Sequence, residues 1–355
     1  MIKDIKFDFD DLLIVPKESS NVRSRKDIKL YDNNGMLPLF TAPMDTVIEN
    51  KNIELFRNNK IYPIIPRTIE LTLIDDKNDW IAIGLKDFET LLSILPNNID
   101  KKYILIDIAN GHMEYLVNLI KRAKEIFKDS LVLMVGNVAN PATYLNLSIA
   151  GADYIRIGVG NGGGCLTSQN VGVGYPLASL ITECYDISCT LNNPAKIVAD
   201  GGMKNYSDII KALALGADYV ILGSILNRAL ESAGETVKAN VKHVGTESWT
   251  EPGESVDQYS ENVKHAFLNG AKFYKKFRGM STKSVQKLLG NEVITTSEGV
   301  TRMNPVEYTL EGWTENFKHY LASAMSYTGS NSLEEFIGKV ELVKITQNSF
   351  NRFNK

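Results

Sequence analysis

The chain has 355 residues, of which 44% are hydrophobic, and its 39 lysines and arginines nearly balance its 42 acidic residues, for a formal net charge of −3. This length allows one large core or two ordinary ones. The absence of a long basic block excludes a nucleic-acid or membrane-surface partner, so we expect a small-molecule ligand.

The cysteines and the first residues favour a cytoplasmic protein. Cys165, Cys184 and Cys189 are a poor disulfide framework, which fits a reducing compartment, and we expect the last two to be packing residues. The segment MIKDIKFDFDDLL carries acids where a signal peptide needs a basic start and an apolar run. No stretch approaches the ~18 apolar residues of a membrane span.

Eight short β-rich runs recur along the first two thirds of the chain. They cover residues 37–43, 61–68, 80–85, 103–110, 131–140, 154–162, 196–202 and 219–224. Segments with apolar residues at helical spacing, such as 113–127 and 206–217, lie between most of them, which is typical of β-α units with a parallel sheet. Eight such units close a (β/α)8 barrel, and we predict this α/β fold, the TIM barrel.

The regular alternation stops after residue 225. A polar stretch follows at 245–263, and helical periodicity returns at 317–340. A long irregular segment usually has a function of its own, so we predict that residues within 226–312 form an active-site flap or lid with limited regular structure. We predict that residues 1–355 form a single barrel domain.

Several predicted strands end in residues that are unusual for a strand. They are Asp107 and Asn110, Gly136 and Asn137, the glycine run of 158–164, Asp200 with Gly201 and Gly202, and Gly223 with Ser224. Barrel chemistry lies on the loops after the C-terminal strand ends, so we expect all of these residues on one rim. Glycines after the last two strands would let a phosphate approach the backbone.

The run GVGNGGGCLT, residues 158–167, places five glycines before Cys165. Glycine weakens an element unless something must approach the backbone closely. A glycine-rich turn can offer N–H groups to a thiolate or carbonyls to a cation, which makes Cys165 a candidate nucleophile. A lone cysteine after a strand is nevertheless more often a small buried hydrophobic residue. The chain has four histidines but neither CxxC nor HExxH spacing, which argues against a zinc site. The residues after GVGNGG do not begin a helix, which argues against a Rossmann dinucleotide-binding fold.

The sequence resembles the IMP dehydrogenase/GMP reductase family over nearly its whole length. The motifs that carry the resemblance include APMDTV (42–47), DIANGH (107–112), VGNVAN (135–140), GVGNGGGCLTSQNVGVGYP (158–176), VADGGMKNYSDIIKALALGADYVILGS (198–224), RGMS (278–281) and SAMSYTG (323–329). The resemblance implies a (β/α)8 barrel that binds a purine mononucleotide on its rim and assembles as a homotetramer.

The resemblance also implies roles for individual residues. Cys165 would attack C2 of the purine and form a covalent thioimidate, while Thr167 and Glu298 would relay a proton to departing ammonia. The nucleotide would contact Asp200, Gly201, Gly202, Gly223, Ser224, Gly279, Met280, Ser281 and Gly299. NADPH would contact Ser24, Arg25, Arg67, Asp107, Ile108, Ala109, Ser323 and Ser326. The carbonyls of Gly160, Gly162 and Cys165 would hold a monovalent cation such as K⁺.

Two reactions of the family share this intermediate. One oxidises IMP with NAD, and the other reduces GMP with NADPH and releases ammonia. Only about a dozen residues separate Arg67 from Trp80, which leaves no room for the regulatory CBS modules of the dehydrogenases. The segment between Ser281 and Glu298 is short and has no Arg-Tyr pair to activate water. These features favour the reductive deamination of GMP to IMP.

The chain also departs from the family pattern. Gly163 or Gly164 stands where a serine is usual, Ser168 where a basic residue is usual, and Ile294-Thr295 where reductases tend to have Tyr-Arg. These departures leave open an IMP dehydrogenase without CBS modules, or a family member acting on a modified purine nucleotide. Outside that family, an FMN-dependent barrel oxidoreductase and a non-catalytic nucleotide-binding protein remain alternatives.

Overall fold

The computed structural model describes residues 5–69, 79–95, 99–244, 247–290 and 296–353. Its strands are β1 (Leu12–Ile14), β2 (Leu39–Thr41), β3 (Ile64–Ile65), β4 (Trp80–Ile83), β5 (Lys102–Asp107), β6 (Leu131–Val138), β7 (Tyr154–Ile157), β8 (Lys196–Asp200), β9 (Tyr219–Leu222), β10 (Thr236–Val244), β11 (Glu247–Val256), β12 (Phe273–Arg278), β13 (Thr301–Pro305) and β14 (Leu342–Lys344).

Helices lie between most of the strands and continue after them. They are α1 (Ile53–Asn58), α2 (Leu85–Ile94), α3 (Glu114–Phe127), α4 (Pro141–Ile149), α5 (Thr167–Val171), α6 (Leu177–Ser188), α7 (Tyr206–Ala214), α8 (Ser224–Asn227), α9 (Glu261–Leu268), α10 (Lys283–Leu288), α11 (Leu310–Tyr327), α12 (Leu333–Phe336) and α13 (Gln347–Phe353). In the described part of the chain, no helix is both long and apolar enough to cross a bilayer.

Strands β2 to β9 form one parallel sheet with the neighbour order β2-β9-β8-β7-β6-β5-β4-β3. A parallel bridge between Phe40 and Tyr62 joins its two edges, where Tyr62 N donates to Leu39 O at 3.0 Å and Thr41 N donates to Tyr62 O at 2.9 Å. Each of the eight predicted runs overlaps one of these strands, with β5 beginning one residue before its run, and β3 is followed by β4 with no inserted module. The prediction of a (β/α)8 barrel without CBS modules is confirmed.

Aromatic side chains fill the barrel at the N-terminal ends of the strands. The ring centroid of Phe40 lies 4.9 Å from that of Tyr62, 5.7 Å from that of Trp80 and 5.2 Å from that of Tyr219. The hydroxyls of Tyr62 and Tyr219 both donate to Asp32 Oδ2, at 2.6 and 3.0 Å. These half-buried polar groups are satisfied, and the packed rings form an aromatic floor that closes one end of the barrel.

The region after the barrel differs from our prediction of limited regular structure. Strands β10 to β13 form an antiparallel sheet in the order β11-β10-β12-β13. In β12 the buried positions alternate through Phe273, Lys275 and Phe277, as expected for a strand that is covered on one face. A lysine at a buried position makes this strand look polar, and the sequence pattern therefore failed to reveal it.

Candidate active site

The carboxyl ends of the barrel strands open into a cavity of about 510 Å³, a size typical of small-molecule sites. Most of the predicted site residues line this cavity, namely Cys165, Thr167, Glu298, Asp200, Gly201, Gly202, Gly223, Ser224, Gly279, Met280, Ser281, Arg67, Asp107, Ile108, Ala109, Gly160 and Gly162. The common rim expected from the sequence is therefore present.

The glycine-rich loop after β7 packs directly against the loop after β8. Gly158 has a φ of +129°, and a Cβ there would lie 2.3 Å from the carbonyl oxygen of Asp200. Gly201 has a φ of +82°, and a Cβ there would lie 2.8 Å from Gly162 N. Since side chains at either position would collide with backbone, these two glycines let one loop approach the other. At these positions the glycines allow the two loops to pack together, in addition to any role in letting a ligand approach the backbone.

Three side chains on the rim form a hydrogen-bonded row that we call the relay: Cys165, Thr167 and Glu298. Cys165 Sγ donates to Thr167 Oγ1 at 3.2 Å. Thr167 Oγ1 in turn donates to Glu298 Oε2 at 2.5 Å, across 131 residues of chain. A thiol and a carboxylate are thus joined through one hydroxyl, an arrangement that can move a proton between them.

Backbone pairing holds Glu298 beside the cysteine loop. Leu166 N donates to Glu298 O at 2.7 Å and Val300 N donates to Gly164 O at 3.1 Å, on either side of an antiparallel bridge between Cys165 and Gly299. Gly299 does not itself line the cavity, and the structure assigns it this pairing role instead. The residues Ile294 and Thr295 lie outside the described residues.

A buried arginine that our sequence analysis did not single out lies at the centre of the rim. Arg156, in β7, pairs with Asp107 through Nη1 at 2.6 Å and with Asp200 through Nη2 at 3.0 Å. Burial alone lowers the pKa of Arg156, but the charges of Asp200 and Asp107 outweigh it and raise the pKa above the ordinary value for arginine. Asn137 Nδ2 also donates to Asp200 Oδ2 at 2.7 Å, so the carboxylate is firmly oriented. The signal for Arg156 was a cation inside an otherwise apolar strand.

At one end of the cavity Ser224 meets a second arginine that the sequence did not reveal. Arg302 Nη2 donates to Ser224 Oγ at 3.1 Å. The guanidinium also lies over the ring of Phe277, with Cζ 5.2 Å from the ring centroid. A cation therefore borders the glycines and serine that were expected to bind phosphate.

The residues expected to bind the cofactor fall into two groups. Arg67, Asp107, Ile108 and Ala109 line the cavity, and Arg67 Nη1 donates to Asp107 O at 3.5 Å. Within the described residues the buried Nε of Arg67 has no hydrogen-bond partner, so this arginine has donor capacity for a ligand.

The other four predicted cofactor residues lie outside this cavity. Ser24 accepts a hydrogen bond from Lys26 N at 3.2 Å and caps a short 3₁₀ turn that begins at Arg25. Ser323 lines a second cavity, of about 580 Å³, beside β1, α7 and α11, and Ser326 Oγ donates to Ser323 O at 2.7 Å. Within one chain the structure does not bring these residues to Cys165.

Two of the three carbonyls expected to hold a cation already accept hydrogen bonds. Gly160 O accepts from Ser168 Oγ and Gly162 O accepts from Cys165 N, each at 2.9 Å. A carbonyl oxygen has two lone pairs, so each retains acceptor capacity, and an all-oxygen donor set suits a hard monovalent cation. Among the described residues there is no group of three or more His, Cys, Asp or Glu that could hold a metal ion.

The two remaining cysteines differ from each other. Cys184 is buried, and burial raises the pKa of its thiol, which fits the expected packing role. Cys189 is exposed, so the same expectation does not hold for it.

The fold and the site define a class of protein, an α/β barrel whose rim carries a cysteine joined through a hydroxyl to a carboxylate. The chain belongs to the IMP dehydrogenase/GMP reductase family, because the sequence model described as "IMP dehydrogenase / GMP reductase domain" matches residues 81–353. The family resemblance inferred from the motifs is confirmed.

Full-length relatives support the same family. The chain is 29% identical to the GMP reductase of Caenorhabditis elegans, over 96% of this chain and 92% of that protein. It is 28% identical to GMP reductase 2 of Homo sapiens, over 97% and 95% of the two chains. It is 27% identical to a GMP reductase of Buchnera aphidicola, over 99% of both. The prediction that the protein is an oxidoreductase of this family is confirmed.

Proposed function

We propose that the protein catalyses the NADPH-dependent reductive deamination of GMP to IMP and ammonia. The observation that carries the proposal is the relay of Cys165, Thr167 and Glu298 facing the cavity. The relatives named GMP reductase, which match nearly the whole chain, support the choice of GMP over other purine nucleotides.

The relay supplies a thiolate and an acid in one proton transfer. The thiol proton of Cys165 passes to Glu298 through the hydroxyl of Thr167, following the direction in which these groups donate. The thiolate then adds to C2 of the purine. Glu298 returns the proton to the 2-amino group, the C2–N bond breaks, ammonia leaves, and a covalent thioimidate remains on Cys165.

Other cavity residues position the nucleotide. Because Arg156 and Asn137 engage Asp200 Oδ2, we assign the other oxygen of that carboxylate to the ribose hydroxyls. The phosphate lies against Gly201, Gly202, Gly223 and Ser224, and the base against Gly279, Met280 and Ser281. These contacts hold C2 within reach of Cys165.

The chemistry that NADPH supplies when bound is a hydride for C2. We assign Arg67, Asp107, Ile108 and Ala109 to hold it, because they line the same cavity and Arg67 has a buried donor without a partner among the described residues. Cys165 leaves C2 with the electron pair of the C–S bond, which releases IMP and regenerates the thiolate, and a proton from solvent then restores the thiol for the next cycle.

Three further features belong to the proposal. A monovalent cation such as K⁺ would use the free lone pairs of the Gly160, Gly162 and Cys165 carbonyls and thereby fix the cysteine loop. The protein would act in the cytoplasm as a homotetramer, in which Ser24, Arg25, Ser323 and Ser326 would contact NADPH bound to a neighbouring subunit. Light scattering after size exclusion measures the oligomeric state directly.

The test follows the absorbance of reduced nicotinamide with two mixtures, GMP plus NADPH and IMP plus NAD. We expect a loss of absorbance in the first mixture only, abolished in Cys165→Ala and retained in the matched variant Cys189→Ala, since Cys189 is exposed and outside the cavity. A gain in the second mixture only would instead identify an IMP dehydrogenase. A yellow protein whose activity survives Cys165→Ala would identify a flavin enzyme.

A further inference from the structure

The end of the cavity that is lined by Gly163, Ser224 and Phe277 is bordered by one exposed cation. A Cβ at Gly163 would lie 3.4 Å from Arg302 Nη2 and 3.9 Å from Ser224 Cβ, so these three residues adjoin one another. Gly163 and Ser224 line the cavity, and Arg302 is therefore within reach of a group bound between them.

The guanidinium of Arg302 is held in place before any ligand arrives. Arg302 is the direct cross-strand partner of Phe277, on whose ring it lies. Its Nε donates to Asn304 Oδ1 at 2.9 Å, and the buried Asn304 is itself anchored by a 2.8 Å hydrogen bond to Asn227. A stacked and tethered arginine loses less conformational freedom on binding than a free surface arginine.

The charge and the donors of Arg302 are available to an anion. Within the described residues Arg302 forms no ion pair, whereas its neighbour Arg228 pairs with Glu307 at 2.7 Å. Partial burial lowers the pKa of Arg302, and the charge of Arg228 lowers it further. Because Arg302 Nη2 donates to Ser224 Oγ, the hydroxyl proton of Ser224 is left to point at another acceptor.

We propose that Arg302 adds a side-chain contact to the nucleotide phosphate, beside the Ser224 already assigned to it, and that this contact contributes to the preference of the site for a nucleoside monophosphate over its nucleoside. The inference rests on the proposed function in that the cavity takes a purine nucleotide. Arg302 touches only the phosphate and is therefore a binding residue, which affects KM for the nucleotide and leaves kcat nearly unchanged.

The test is calorimetric binding of GMP and of guanosine to the full-length wild type, Arg302→Met, Arg302→Lys and the control Arg122→Met. Arg122 is exposed on α3, outside the cavity, and its removal changes net charge equally. We expect Arg302→Met to weaken GMP binding about 10- to 100-fold, as for loss of a charge-assisted contact, with guanosine binding unchanged. Arg302→Lys should be intermediate and Arg122→Met like the wild type.

The binding data separate failure of this inference from failure of the proposed function. Equal binding of GMP to the wild type and to Arg302→Met, or an equal loss of GMP and guanosine, would overturn the role of Arg302. GMP binding that depends on Arg302, in a wild-type protein that does not turn over GMP with NADPH, would support the phosphate contact and overturn the proposed reaction. A rise in KM for GMP with kcat within about threefold would agree with binding alone.

Discussion

At the scale of single residues, the chemistry that we propose depends on the hydroxyl of one threonine. In the part of the chain that the structure describes, Thr167 Oγ1 links Cys165 Sγ to Glu298 Oε2, accepting from the first and donating to the second. The thiol and the carboxylate come from segments far apart in sequence, so the hydroxyl is what couples them.

We expect Thr167→Val to lower kcat for GMP reduction by about 10²- to 10⁴-fold, because it removes the hydroxyl that carries the proton and keeps the shape of the side chain. KM for GMP should stay within about threefold, since the backbone pairing of Glu298 remains. Steady-state kinetics measure both, and Thr167→Ser, which keeps the hydroxyl, should retain most of the activity. A fully active valine variant would remove Thr167 from the mechanism.

The sequence could indicate some of these residues and not others. Cys165, Thr167 and Glu298 were assigned from motifs, and the structure brings the three together. Arg302 could not be identified in this way, because its position beside Ser224 arises from the pairing of β12 with β13. That pairing depends on a sheet the sequence pattern did not reveal.

At the scale of secondary structure, β12 is unusual in burying a lysine between two phenylalanines. The side chain of Lys275 is fully buried, and its Nζ donates to the carbonyls of Leu230, at 2.7 Å, and Ser232. Burial lowers the pKa of Lys275 from 10.5 to about 7, against the smaller opposing effects of Glu231 and Glu49. The titratable side chain of Lys275 thus connects the antiparallel sheet to the segment that follows the barrel.

We expect the free energy of unfolding to rise with pH between about 7 and 10.5. In this window the folded state holds Lys275 neutral while the unfolded chain binds the proton, so stability increases as pH rises and the cost of burial is greatest below about pH 7. Urea unfolding followed by fluorescence at several pH values measures this slope. In Lys275→Met the slope should be smaller, and equal slopes in the two proteins would contradict the assignment.

The barrel elements were predictable and the antiparallel sheet was not, for one physical reason. Parallel strands that are buried on both faces, such as β6 and β8, leave nearly continuous apolar runs in the sequence. Strand β12 is covered on one face only, with a lysine at the central buried position, so its pattern resembles a solvated loop.

At the scale of the whole molecule, the aromatic floor and the proposed active site lie at opposite ends of the barrel. The aromatic floor around Phe40 lies at the N-terminal ends of the strands, and the cavity with Cys165 lies at their carboxyl ends. This division is the usual one for the fold, and it makes the two properties separable by mutation.

We expect Phe40→Ala to lower the free energy of unfolding by about 3–5 kcal/mol, because it empties the centre of a packed aromatic cluster. Phe40 is 1% exposed, so solvent cannot readily fill the space. Urea denaturation measures the loss, and Phe40→Leu, which keeps most of the volume, should lose less. KM for GMP should change less than about twofold in the folded protein, and a large change would show that the two ends are coupled.

Because the aromatic floor closes one end of the barrel, the cavity opens to solvent at the other end. In the reaction we propose, GMP enters and ammonia and IMP leave through the same opening of the cavity, so a new GMP binds only after IMP has dissociated. Accumulated IMP therefore competes with GMP for the cavity, and turnover slows through product inhibition. The aromatic cluster that closes the N-terminal end of the barrel thus makes the enzyme subject to inhibition by its own product.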